Sequence, residues 1–249
     1  MNSSHNCLLF SGVNSKYLCL IKSFIFSLEK SVKGISFAHG TRKLVKSLDY
    51  IHISPSFEDY YPFFEHRTST ISSRDSIITS LNVSNWKVKN LDYLFCALDS
   101  LTTLTGINQW DTSEVLTMSY TFFGCESLTT LNLNGWNTAN VVSMDYMFKL
   151  CSSLTSLNLS SWDTRTVTST YQMFSYCSKL TSLDLSGWHT DSLEDVAYMF
   201  DGCEALEYLD IRNFDLSNIT FAFSTFYDCY ALKEIRLDNC NNYTISKII

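Results

Sequence analysis

Charge, proline and glycine are all scarce in this sequence. Asp, Glu, Lys and Arg make up 17% of the 249 residues, with two prolines and eight glycines. Together with 45% hydrophobic residues, this argues against a disordered or low-complexity chain and supplies a sizeable core. No apolar run reaches the roughly 18 residues that a membrane-spanning helix needs. The nearest stretch, Leu18 to Leu28, is broken by Lys22. It does not read as a signal peptide either, because Lys16 and Lys22 interrupt it and the start, Met1-Asn2-Ser3-Ser4-His5, has no basic residue. Leu18, Ile21, Ile25 and Leu28 fit one face of a short amphipathic helix.

The reactive constellations are missing too. There is no C-x-x-C or other metal-ligand spacing, and no glycine-rich phosphate loop. Of five histidines only His189 lies in the repeated part of the chain, and no Ser/His/Asp or Cys/His grouping emerges. The expectation is therefore a protein that is not an enzyme, with no catalytic, metal or cofactor residues. Residues 1–75 carry nine Lys/Arg against six Asp/Glu, and residues 76–249 nine against nineteen. The acidic part repels phosphate backbones, so nucleic acid is not an expected partner.

What is present is a period. Trp110, Trp136, Trp162 and Trp188 stand 26 residues apart, Phe214 takes the next place, and Cys125, Cys151, Cys177, Cys203 and Cys229 keep the same step. Each unit opens on Leu-x-x-Leu-x-Leu, as at 128/131/133, 154/157/159 and 180/183/185. Looser copies stand at 206/209/211 and 232/235/237, with Leu101/Leu104 and Ile78/Leu81/Val83 upstream. That opening is the strand pattern of leucine-rich repeats. A faint echo, Leu48, Ile51, Ile53 and Phe57, lies further upstream.

In the second half of the unit Val141, Met144, Met147, Phe148 and Cys151 fall within about 120° of arc at helical periodicity, which predicts a short amphipathic helix. Asn140, Thr166, Ser192 and Asn218, or Thr117, Ser143, Ser169 and Asp195, could cap it. The expected fold is an α/β solenoid, with a parallel sheet on one face and short helices on the other. One unit cannot bury enough apolar surface to offset the ordering of its chain, so the units must stack. The chain divides into an N-terminal region (1–75), an array of six to seven units (76–240) and a tail (241–249).

The string Met147-Phe148-x-x-Cys151-x-x-Leu154-x-x-Leu157-x-Leu159-x-x-Trp162-x-Thr164 resembles the BspA-like leucine-rich-repeat surface proteins over about residues 76–240. That resemblance implies a cell-surface or extracellular protein that binds other proteins, adhesion included, and carries no catalytic residue. Without an evident export signal, a cytoplasmic scaffold or effector is the alternative. An array whose ends self-associate is a third reading.

The columns weigh as follows. The cysteines, on the apolar face, read as small core residues before disulfides or metal ligands. The tryptophans read as a stacked spine at the corner before a glycan platform. The ladder Asp111, Asn137, Asp163, His189, Asp215 suits turns before calcium, since Asn and His interrupt its carboxylates. The strand face remains for binding a protein, or failing that a glycan: Thr130, Asn132, Asn134, Ser156, Asn158, Ser160, Ser182, Asp184, Ser186, Tyr208, Asp210, Arg212, Glu234 and Arg236. Tyr and Arg are enriched at binding hot spots, which favours the C-terminal end of that face.

Overall fold

The computed structural model describes residues 79–84 and 86–236. The amphipathic stretch at 18–28, the echo at 48–57, Ile78, Leu237 and the tail lie outside the described residues.

Six of the seven leucine-patterned openings form a strand of three residues: β1 (Ser80–Asn82), β2 (Thr103–Thr105), β3 (Ser156–Asn158), β4 (Ser182–Asp184), β5 (Tyr208–Asp210) and β6 (Glu234–Arg236). All pairing is parallel. β1 pairs with β2, and β3 to β6 form a second sheet in chain order. The register follows the repeat, with Leu157 beside Leu183, Leu183 beside Leu209 and Leu209 beside Ile235. In β1, β3 and β4 the central leucine is buried and its two neighbours are exposed, as the period of two requires.

The sheet breaks at the unit around 128–136, which contributes no strand. The unit before it has one residue more between Leu101 and Trp110 than its successor has between Leu128 and Trp136. Gly106 absorbs the extra residue with φ 84° and leads into a 3-10 turn, Ile107–Gln109.

The expected helices are not there. Among the described residues no α-helix occurs; the second half of each unit is instead a flat ribbon of consecutive turns. Tyr120, Tyr146, Gln172, Tyr198 and Ser224, and four residues on Gly124, Leu150, Tyr176, Gly202 and Asp228, hold φ between 53° and 71°. At the start of each ribbon Thr117, Ser143, Ser169, Asp195 and Phe221 form parallel bridges from unit to unit, so four of the residues expected to cap helices serve as bridge positions.

The apolar residues used to infer a helix (Val141, Met144, Met147, Phe148, Cys151) are all buried, so their inward orientation is correct and only the backbone differs. The reason is pitch. Phe95, Phe122, Phe148, Phe174, Phe200 and Phe226 stack one per unit with ring centroids 5.3–5.6 Å apart. Helices about 10 Å across cannot sit side by side at that spacing, whereas extended ribbons can.

The corner between strand and ribbon holds the tryptophans. Trp86, Trp110, Trp136 and Trp162 stack at 6.1–6.3 Å, and Trp188 stacks on Phe214 at 6.1 Å. Nε1 of Trp110, Trp136 and Trp188 donates to the carbonyls of Val83, Ile107 and Leu159 in the preceding unit. Trp162 Nε1, buried at the break in the sheet, has no partner. Trp136→Phe is therefore expected to destabilise by about 1 kcal/mol more than Trp162→Phe, because only the former removes a hydrogen bond. Chemical denaturation of the two variants checks this, and equal losses would contradict it.

Candidate functional site

Cys125, Cys151, Cys177 and Cys203 lie in the core, with Cys229 partly buried against it. Sγ of Cys125, Cys151, Cys177, Cys203 and Cys229 donates to the carbonyls of Phe95, Phe122, Phe148, Phe174 and Phe200 at 3.1–3.2 Å. The thiols are free and tie each unit to the one before it. Burial pushes the thiols of Cys125, Cys151, Cys177 and Cys203 well above their usual range, which keeps them un-ionised and poor nucleophiles.

The acidic ladder serves turns. Oδ1 of Asp111, Asn137, Asp163 and Asp215 accepts the backbone N–H two residues on. Beside it the buried Thr112, Thr138, Thr164 and Thr190 donate to the carbonyls of Asn137, Asp163, His189 and Asp215 in the next unit at 2.8–3.0 Å. Among the described residues no group of three or more His, Cys, Asp and Glu is placed to hold a metal ion. The concavity lined by Thr164, Val167, Thr170, Trp188, Thr190 and Leu193 has no room for a water molecule. No helix among the described residues is long and apolar enough to cross a membrane.

On the strand face, Thr130, Asn132, Asn134, Ser156, Asn158, Ser160, Ser182, Asp184 and Glu234 are exposed, while Ser186, Tyr208, Arg212 and Arg236 are half-buried. Several carry structural duty as well. Oδ1 of Asn132, Asn158 and Asp184 accepts the N–H of Asn134, Ser160 and Ser186 at 2.9–3.1 Å, closing the turn after the strand.

Asp210 departs from the expected outward position, being only 2% exposed. Arg212 Nε donates to Asp210 Oδ1 at 2.9 Å and its Nη2 to Oδ2. Tyr208 Oη donates to Oδ2 at 3.3 Å, and Arg236 Nη1 lies 3.7 Å from the same oxygen. Hydrogen bonding to Arg212 holds the Asp210 carboxyl below its usual range. Strands β5 and β6 thus bring together Tyr208, Arg212, Arg236 and Glu234, with the two guanidinium groups gathered on one carboxylate.

The outer surface of the ribbons carries features that the columns of leucine, tryptophan and cysteine did not reveal. Tyr93, Tyr120 and Tyr146 stack at 4.4–4.6 Å, and Tyr171, Tyr198 and Phe223 continue the ridge edge to face at 5.1–6.1 Å. Lys149 crosses it, hydrogen-bonded to Gln172 and lying over the rings of Tyr146 and Tyr176 at 5.5 and 5.9 Å. Burial lowers its ammonium below the usual lysine range.

At the last ribbon described, aromatic side chains replace polar ones. Phe221, Tyr227 and Tyr230 take places held one unit earlier by Asp195, Asp201 and Glu204, and two units earlier by Ser169, Ser175 and Ser178. With Phe223 they form an exposed patch, at 51%, 62%, 77% and 54% exposure for Phe221, Tyr227, Tyr230 and Phe223. The signal was present in the sequence as a change of residue type within columns 26 apart.

Among curated proteins none matches this chain. A leucine-rich repeat protein from Bacteroides ovatus ATCC 8483, known as a crystal structure, aligns at 18% identity over 64% of this chain and 55% of its own, with a TM-score of 0.29. The chain spans about half the length of that protein. A family profile described as Mycoplasma protein of unknown function, DUF285, matches residues 62–181 and 155–248. With its parallel solenoid and these two overlapping matches across most of its length, the chain belongs to the DUF285 family.

Proposed function

We propose that this chain is a non-enzymatic binding module that docks a protein partner on the strand face of its C-terminal units, in the manner of a surface adhesin. The observation that carries this reading is the cluster on β5 and β6, where Tyr208, Arg212 and Arg236 converge on the buried Asp210. Two guanidinium groups held by one carboxylate have lost much of their freedom before any partner arrives, which reduces the entropy cost of binding. Tyr and Arg are the residue types that carry binding energy at interfaces. Upstream, the same face is built from short hydroxyl and amide side chains with weaker anchoring capacity. A concavity too small for water fits engagement by an open surface better than capture of a small molecule.

Replacing Tyr208 and Arg236 together by alanine is expected to weaken capture of the partner by about tenfold or more, as loss of one hot-spot residue typically does. Adhesion to host or matrix proteins and pull-down from the native environment measure it, with thermal melting as the folding control. Full binding by a well-folded double variant would remove this face. Fractionation of the producing cells tests the surface location, and recovery in the cytosol alone would contradict it.

A further inference from the structure

In the middle of the array, between β2 and β3, the segment from Thr130 to Gly135 is held less firmly than its equivalents. Over Ser156–Asn158 and Ser182–Asp184 the chain is paired in register with a neighbouring unit. Among the described residues the N–H groups of Thr130, Leu131, Asn132, Leu133 and Gly135 instead donate to no backbone carbonyl. The displaced turn of the preceding unit lies against this segment. The Asn108 carbonyl stands 3.1 Å from the place a Cβ on Gly135 would take, and Gly135 holds φ 91°. The segment keeps its place through the burial of Leu133 and Trp136 in the core.

Asn134 and Gly135 end this segment, and both are exposed. They are the only Asn-Gly pair in the sequence, and the matching places one and two units on hold Ser160-Ser161 and Ser186-Gly187. The Asn134 N–H donates to Asn132 Oδ1 at 3.1 Å, while its own side-chain amide forms no hydrogen bond among the described residues. Asn132 and Asn158 on the same face contrast with it. Each accepts the N–H two residues on through Oδ1, which fixes the side chain, and each is followed by a buried leucine, Leu133 or Leu159. A glycine has no Cβ to crowd its nitrogen and lets another group approach the backbone closely. Asn134 thus sets a free side-chain amide beside an unbonded and uncrowded main-chain nitrogen.

We propose that Asn134 is a site of self-modification, at which the main-chain nitrogen of Gly135 attacks the side-chain amide carbon of Asn134 and water completes its conversion to an acid. The new bond joins Gly135 N to Asn134 Cγ and closes a five-membered imide. The bond from Cγ to the side-chain nitrogen breaks, and that nitrogen leaves as ammonia with the proton given up by Gly135 N. Water then adds to one of the two imide carbonyls. Cleavage at Cγ yields aspartate in the original main chain, and cleavage at the main-chain carbonyl yields isoaspartate, with the chain rerouted through Cγ. Nothing is oxidised or reduced, and solvent water is the only co-reactant. Either product places a carboxylate where Thr130, Asn132, Ser156, Asn158 and Ser160 carry no charge. Isoaspartate also lengthens the main chain by one atom just ahead of Trp136. The N–H of Trp136 closes on the Leu133 carbonyl at 3.3 Å, and its Nε1 ties the unit to Ile107 at 2.9 Å. The longer chain loosens both bonds and with them the joint to the preceding unit.

Ageing the folded full chain in buffer at neutral and mildly alkaline pH, followed by peptide mapping with mass spectrometry, tests this. Conversion at Asn134 is expected to outrun that at Asn132 and Asn158 by about tenfold or more, because only its neighbour lacks a Cβ. It is expected to quicken at the higher pH, where Gly135 N loses its proton more readily, and to yield isoaspartate detectable by enzymatic methyl transfer. Asn132 and Asn158 serve as controls within the same molecule, so the comparison needs no variant. An unconverted Asn134, or equal rates at the three asparagines, would overturn the proposal. Asn134→Ser, which installs the residue found at 160 and 186, is expected to abolish the isoaspartate and to match the fresh parent in melting temperature. On ageing, the parent is expected to lose melting temperature while Asn134→Ser holds it. Equal losses in the two would show that the modification leaves the joint at Trp136 intact, against the consequence drawn for it.

Discussion

Phe174→Ala is expected to destabilise the array by about 3–5 kcal/mol, the range for truncating a fully buried phenylalanine. The ring lies between Phe148 and Phe200 at 5.5 and 5.6 Å, nearly parallel to both, and is wholly shielded from water. Its loss opens a cavity that the backbone cannot collapse, because the ribbon is bonded to neighbours on both sides through Phe148 N–H to Met173 carbonyl and Phe174 N–H to Met199 carbonyl. A solenoid is held by contacts between neighbouring units, so this loss weakens two interfaces together. Denaturant unfolding is expected to broaden or split into two phases as the halves on either side uncouple. Phe223→Ala, at an exposed ring, serves as the comparison and should lie within about 0.5 kcal/mol of the parent. Equal effects at the two sites would show that the phenylalanine stack does not hold the units together.

Gly106→Ala is the second substitution expected to do serious harm, although it adds a single methyl group. Gly106 holds φ 84°, which costs an L-residue about 1–2 kcal/mol. A Cβ there would lie 2.5 Å from the backbone N and Cα of Ser84. That adds overpacking of about 1–3 kcal/mol, since the obstructing atoms are main chain and cannot rotate away. Val83 N–H donates to the Thr105 carbonyl at 2.9 Å, so displacement of Ser84 strains the joint between the first two units. A lower melting temperature with β3 to β6 still protected from hydrogen exchange is the expected pattern. Uniform loss of protection would instead show the array unfolding as one body, and a melting temperature equal to the parent would contradict the clash.

How much of this was legible beforehand differs by column. Leu157, Leu183 and Leu209 could be placed inward because a strand exposes alternate residues to opposite faces, whatever the surrounding fold. The tryptophan and cysteine columns could be assigned to the core because a strict period puts like residues in register, and apolar ones in register bury each other. Asp210 could not be placed, since burial of a carboxylate depends on Arg212 from its own unit and Arg236 from the next. The tyrosine ridge escaped notice because it changes column, passing from Tyr146 to Tyr171 where Gln172 interrupts it.

The sequence by itself determined the period, the parallel strand register and the identity of the core, because these follow from residue spacing alone. The tertiary structure decided the form of the second half of each unit. Spacings of three and four residues between apolar side chains suit a helix and a turn ribbon equally. The choice turns on where the N–H groups go: back along the chain in a helix, across to the next unit in the ribbon. Units stacked at 5.3–5.6 Å leave no width for a helix. That spacing is a property of the stack, set by neighbours a full repeat away, and no single unit of sequence contains it.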